Sequence, residues 1–232
     1  MRQIIIDTET TGLYVHAGDR IIEFAGLEMI SRRLTGRQCH FYIYPECDIN
    51  EEASKIHGLR LSDLEGKPKF AEVGQEIHDF LRDSELIIHN APFDIGFLNM
   101  EFSKIGLAPV EEITNNVIDT LVEAKRKYPG KRNSLDALCE RLEIDRSKRV
   151  LHGALVDCDL LAQVYLAMTH NQFTLDIDLN SDLDGGNQQN FHIDYNQNKF
   201  KVLMASGDEN KLHEAYLDEL SRTCLPIYRY EE

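Results

Sequence analysis

Ile4-Ile5-Ile6-Asp7-Thr8-Glu9-Thr10-Thr11-Gly12 is the stretch that decides the fold. Three consecutive β-branched apolar residues predict a strand buried on both faces, and Gly12 lets the chain turn away after two carboxylates. Side chains on a strand repeat with period two, so Asp7 and Glu9 share one side while Thr8 points to the other. A hard divalent cation would relieve the repulsion of two carboxylates in a partly dry site. In a chain with 40 acidic residues the same spacing also arises at a solvated turn, so the metal reading needs ligands from elsewhere.

The 232 residues and 42% hydrophobic content predict one substantial α/β domain plus an appendage. No apolar run approaches the roughly 18 residues of a spanning helix, and the N-terminus does not read as a signal peptide, which predicts a cytoplasmic chain with no membrane partner. Five widely spaced cysteines, Cys39, Cys47, Cys139, Cys158 and Cys224, form no CxxC pair. They are expected as free thiols rather than as a disulfide framework or a zinc site. A net charge of −15 argues against unaided binding to duplex nucleic acid through phosphate neutralisation. Either nucleic acid is not the substrate, or metals and a partner hold it.

Outward from the first strand, Leu13–Asp19 reads as a polar loop. Arg20–Ile30 and Gln38–Tyr44 read as a hairpin around Ser31–Arg37, with Thr35-Gly36 at the turn and Pro45 closing it, the antiparallel edge of a mixed sheet. Loop and short helix follow to Lys67. Phe70, Val73, Ile77, Phe80 and Leu81 then recur at helical spacing over Phe70–Arg82. Leu86-Ile87-Ile88 is a second buried strand, and it leads through His89-Asn90 into a helix that places Asp94 in its first turn. There the helix dipole favours the ionised carboxylate that a metal requires, although the same position suits an acid that merely stabilises the helix. Val117–Tyr128 reads as a further helix, and Asn133 or Ser134 caps another ending at Leu142. The concentrated basic stretches, Lys125, Arg126, Lys127, Lys131 and Arg132, then Arg146, Lys148 and Arg149, are either a solvated face or phosphate contacts.

His152-Gly153 precedes a helix over Ala154–Met168 that contains Asp157. On one continuous helix a separation of five would set the two roughly 140° apart, so Gly153 is expected to leave His152 on a loop over Asp157. Asp159 projects elsewhere. Composition changes to Asn, Gln, Asp and Gly over Asn180–Lys199, a linker. The final apolar residues, Phe200–Met204 and Leu212–Leu220, are too few to bury a core alone and predict a segment that folds on a partner.

Asp7, Glu9, Asp94, His152 and Asp157 thus form an ordered set that resembles the DEDD exonucleases with a histidine, which share a ribonuclease H-like fold. The surrounding words are more specific. Ile56-His57-Gly58-Leu59, His89-Asn90-Ala91-Pro92-Phe93-Asp94-Ile95-Gly96-Phe97, Pro129 to Cys139 and His152 to Asp157 closely resemble the epsilon proofreading subunits of bacterial DNA polymerase III, densely over residues 1 to about 175. The resemblance implies a ribonuclease H-like mixed sheet flanked by helices over 1–175, a flexible linker over 176–199 and a short docking segment over 200–232. It implies a 3′-to-5′ exonuclease removing mismatched nucleotides from a single-stranded 3′ end of DNA with two divalent ions, Mg2+ or Mn2+. Asp7 would bridge the ions, Glu9 and Asp157 complete one site, Asp94 serve the other, and His152 act as general base. Thr8, Glu52, His57 and Phe93 match positions that contact the terminal nucleotide, with plain core packing an equal expectation for Phe93.

The same resemblance implies a polymerase III alpha subunit bound through the C-terminal segment, in a nucleoid-associated replisome. Gln172, Leu175 and Ile177 resemble the short peptides that dock into a sliding clamp. The nearest alternative is an exoribonuclease of the same superfamily acting on RNA 3′ ends. A non-enzymatic polymerase accessory and an acidic calcium-binding module are remoter, since all five site residues are present and no EF-hand spacing occurs.

Overall fold

The computed structural model describes residues 2–147, 151–170 and 205–220. The clamp-peptide residues Gln172, Leu175 and Ile177, the linker over 176–199, and Lys148 and Arg149 lie outside them, as does most of the C-terminal segment. The chain divides into two units, Met1–Thr174 and Leu175–Glu232.

In the first unit, β1 (Arg2–Thr10) is the central strand of a five-stranded sheet ordered β3-β2-β1-β4-β5. It runs antiparallel to β2 (Ile21–Ile30) and parallel to β4 (Glu85–Ile88). Helices cover both faces, as the triple Ile run requires. Ile4 and Ile6 face Phe70, Ile77, Phe97 and Phe102 on α3 (Phe70–Leu81) and α4 (Ala91–Lys104), whereas Ile5 faces Cys158 and Leu161 on α8 (Ala154–Met168). Burying three such side chains contributes roughly 1.5–3 kcal/mol each, ample to hold a strand whose end carries two acids. α6 (Thr120–Lys127) and α7 (Leu135–Arg141) complete the layer around α8. The short helices α1 (Glu51–His57), α2 (Leu61–Leu64) and α5 (Val110–Ile113) fill the connections.

The mixed sheet with an antiparallel edge is as expected, but two elements differ. β3 spans Arg33–Tyr42, so the hairpin turns at Ser31-Arg32 rather than Thr35-Gly36. Both turn residues have positive φ, 50° and 64°, the two-residue geometry that matches strand twist. Gly36, with φ 85°, lies where the pairing slips between Leu27 and Met29; it marks a bulge. The hairpin tip is tied down by Arg32, whose guanidinium donates to Thr169 Oγ1 (2.8 Å) and to the Leu166 carbonyl (2.9 Å). Second, Asn116–Asp119 is a strand, β5, parallel to β4, and the helix begins only at Thr120. Apolar periodicity over so short a run does not separate strand from helix.

In the second unit α9 (Gly207–Leu220) exposes Leu212 (72%) and Tyr216 (59%). No helix among the described residues is long and apolar enough to cross a membrane.

Candidate active site

Pairing of β1 with β4 stops at Ile5↔Ile87, while pairing with β2 continues to Thr10↔Ile21. The last residues of β1 therefore border an opening where β4 leaves the sheet for α4, the crevice beyond the ends of parallel strands where α/β proteins place their ligands. Asp7 and Glu9 project toward α8, as Ile5 does, and Thr8 toward α4. Gly12 makes the next turn possible by close approach: a Cβ there would lie 2.5 Å from Asp19 Oδ2. That carboxylate accepts from Thr11 Oγ1 (3.1 Å) and the Tyr14 backbone N–H (2.9 Å), closing the loop.

The other acids arrive from both layers. Asp157, in the first turn of α8, comes from one face. Asp94, 3% exposed in the first turn of α4, comes from the other and accepts a 2.8 Å hydrogen bond from Thr8 Oγ1. The period-two alternation that separates Thr8 from the acid pair thus delivers its hydroxyl to the third acid. His152 sits on the extended residues before α8, as Gly153 predicted, with Nδ1 3.2 Å from Asp157 Oδ2. Its backbone N–H donates to the Ile56 carbonyl (3.2 Å), and Leu151 packs over Gly58, so the His152 loop rests on the end of α1. Ligand atoms of Glu9, His152 and Asp157 all lie within 4.8 Å of one another.

The electrostatics are those of acids gathered for a cation. Burial, then Asp94, Asp157, Glu9 and Glu23, push the Asp7 carboxyl well above its usual range. Burial and Asp157 push Glu9 up to about 8, with His152 opposing. Burial pushes Asp94 up to about 7 against the Thr8 hydroxyl and backbone N–H groups. Oxygen donors with one imidazole suit a hard divalent ion, and binding it requires the carboxylates to be ionised. The residues present therefore fit such a metal.

A consequence concerns stability. Acids whose folded pKa is raised stabilise the fold below their ordinary pKa and lose that contribution as pH rises through the folded value. Metal-free protein should accordingly lose thermal stability between about pH 4.5 and about pH 8, and Mn2+ should restore it most at the alkaline end. Melting curves in chelator and in Mn2+ across that range check this; a metal-free Tm that rises with pH would contradict it.

Of the other residues expected at the terminal nucleotide, Phe93 lies on α4 and Glu52 and His57 on α1. Phe93 is half-buried, its ring 5.0 Å from that of Phe97. His57 is buried; its Nδ1 accepts from the Leu59 N–H (3.0 Å), and among the described residues its Nε2 finds no hydrogen-bond partner of good geometry. Burial lowers its pKa. Glu52 is exposed in the first turn of α1.

Two acids at the site went unnoticed in the sequence. Glu23, 2% exposed, stands opposite Glu9 on β2, where it pairs with His40 Nε2 (2.8 Å) and accepts from the Ala154 N–H (3.3 Å) at the start of α8. An acid inside Ile21-Ile22-Glu23-Phe24-Ala25 is the signal that marks it. Asp119 accepts from the N–H groups of Asn90 and Ala91 (both 3.2 Å) and of Leu121 (2.9 Å), capping α4 and α6 together.

The family model described as Exonuclease matches residues 4–165. DNA polymerase III subunit epsilon of Escherichia coli (strain K12) is 44% identical, over 97% of this chain and 96% of that protein. The chain belongs to the DNA polymerase III subunit epsilon family. Its Pasteurella multocida relative is 51% identical over 75% of this chain and 70% of that protein. Among solved structures, the zinc-bound E. coli exonuclease I complex with single-stranded DNA superposes with a TM-score of 0.66 at 20% identity, covering 74% of this chain and 41% of that one. Exonuclease X with 5′-overhanging duplex DNA gives 0.54 at 24%, covering 72% and 90%. These likenesses establish the ribonuclease H-like fold. The epsilon-family chain is an exonuclease, and exonucleases of this kind use divalent metal ions.

Proposed function

We propose that this chain is the 3′-to-5′ proofreading exonuclease of a bacterial replicative DNA polymerase, hydrolysing the terminal phosphodiester with two divalent ions, Mg2+ or Mn2+. The observation that carries the reading is the convergence of Glu9, His152 and Asp157 donor atoms within 4.8 Å beside Asp7. Asp7, Glu9, Asp94 and Asp157 would hold the ions, Asp7 between the two, Glu9 and Asp157 at one, and Asp94 at the other. Bound ions supply charge stabilisation at the attacking and leaving oxygens. Asp157 holds His152 at Nδ1, which in the neutral ring leaves Nε2 to accept the proton of the attacking water. Thr8, whose hydroxyl positions Asp94, also borders the terminal nucleotide through its backbone, with Glu52, His57 and Phe93 around it.

A mismatched terminus unpairs more cheaply, so access by a single strand discriminates without base reading. The acidic chain does not need to hold duplex itself if a polymerase keeps the primer end close. In this reading 1–175 is the nuclease, 176–199 a linker, and 200–232, with Leu212 and Tyr216 exposed on α9, the segment that binds the polymerase alpha subunit. Gln172, Leu175 and Ile177 engage the sliding clamp, and the protein works in the cytoplasm at the nucleoid-associated replisome. Relatives named for a DNA polymerase weigh against the exoribonuclease alternative.

Degradation of 3′-labelled mismatched primer, matched primer and RNA, with Mg2+, Mn2+ or chelator, tests the reading. Mismatched DNA should be shortened fastest, and chelator should abolish the reaction. Activity persisting in chelator, or a preference for RNA, overturns it.

A further inference from the structure

The basic run in the last turn of α6 and the loop after it is not a uniformly solvated face. Arg126 pairs with Glu123 (2.8 Å), and Lys127 Nζ donates to the Met168 carbonyl. Lys125, Lys131 and Arg132 are exposed and have no carboxylate partner among the described residues. Nearby acids are engaged: Asp136 holds Arg146 (3.0 Å), and Asp119 caps two helices.

The loop that carries Lys131 and Arg132 is built from within. Asn133 is buried, and its Nδ2 donates to the carbonyls of Tyr128 (3.3 Å) and Lys131 (3.0 Å). Its Oδ1 accepts from Arg141 Nη1 (3.2 Å), whose Nη2 donates to the Arg132 carbonyl (2.7 Å). The same guanidinium stacks 4.6 Å from the centroid of the Tyr128 ring. One cation is thus used to shape a loop that keeps two others in solvent.

The helix that leads into this loop begins beside the candidate site. The half-buried His89 has Nδ1 2.9 Å from Thr120 Oγ1 at the start of α6, and the Asp119 carboxylate that caps α6 also accepts from the Asn90 and Ala91 N–H groups at the start of α4. His89 directly follows β4 and immediately precedes Asn90, the residue before α4 and its Asp94. Lys125 lies in the last turn of that same α6, and the loop carrying Lys131 and Arg132 follows it directly.

We propose that Lys125, Lys131 and Arg132 bind backbone phosphates of the single DNA strand upstream of the terminus being cleaved. This deepens the proofreading reading and rests on it. In a chain of net charge −15, whose site gathers Asp7, Glu9, Asp94 and Asp157, metal ions neutralise charge at the scissile phosphate. Each further nucleotide brings another negative charge, and cations beside the mouth of the site hold that part of the strand.

The test compares wild type with the full-length triple variant Lys125→Gln, Lys131→Gln, Arg132→Gln in Mn2+, on two substrates. One is a single-stranded oligodeoxynucleotide about ten residues long; the other is the p-nitrophenyl ester of thymidine 5′-monophosphate, which has no upstream phosphate. KM for the oligonucleotide should rise about 5–10-fold with kcat within about twofold. The slope of log KM against log salt should fall by about 0.7 per lost contact, and ester hydrolysis should be unchanged. An unaltered oligonucleotide KM and salt slope would overturn the proposal and assign the cations to another partner, such as an acidic protein surface. Equal losses on both substrates would also overturn it, as a defect in the site itself. If wild type cleaves the ester but not DNA, the underlying proofreading reading fails instead.

Discussion

Asp7→Ala is expected to slow release of 3′-terminal nucleotides by about 10³-fold or more, while raising the Tm of the metal-free protein. The first effect follows from position. Asp7 is the acid nearest to all the others in influence, its carboxyl pushed up by Asp94, Asp157, Glu9 and Glu23 after burial itself. If Asp7 is the ligand shared between two ions, as proposed, its loss would remove several kcal/mol of transition-state stabilisation, and each 1.36 kcal/mol is about tenfold in rate. The second effect has the opposite sign for the same reason. With no cation bound, an ionised Asp7 is a buried like charge, and removing it relieves the fold. A gain of about 1–2 kcal/mol would raise Tm by about 2–8 °C in a chain of this size. Primer-shortening rates at saturating Mn2+ and melting curves in chelator measure the two. A variant that keeps a tenth of wild-type activity, or melts lower in chelator, contradicts the assignment.

His152→Ala is expected to cost about 10²–10⁴-fold in kcat while leaving metal-induced stabilisation nearly intact. The imidazole stands on a loop resting on α1, 3.2 Å from Asp157 and 42% exposed, so it can exchange its proton with solvent. Its removal takes away a base and leaves Asp7, Glu9, Asp94 and Asp157 in place. The Mn2+ concentration that half-restores Tm should move less than about threefold, in contrast to Asp7→Ala, and added imidazole should recover part of the rate. Loss of metal stabilisation equal to that of Asp7→Ala would make His152 a ligand rather than a base.

The sequence carried most of the site because the signals were local. A triple Ile run forces a buried strand, alternation fixes Asp7 with Glu9, and Gly153 releases His152 from the helix that contains Asp157. What the chain did not announce depends on pairing between distant segments. The turn at Ser31-Arg32 lacks the Asn-Gly signature, and its tip is fixed by Arg32 reaching α8. β5 is only four residues long, and its status comes from lying beside β4. Glu23 enters the site through register with Glu9, and Asp119 joins two helices that sequence separates by a short helix and a strand. Thr8 shows the limit most plainly: its side of the strand was legible, but not the partner, Asp94, waiting there.

Asp94 and Asp157 approach the end of β1 from opposite faces of the sheet, one on α4 and one on α8. Neither helical layer alone assembles the constellation. In the proposed reading, a chain with only one layer docked lacks one of these acids, so cutting competence waits on both layers being in place.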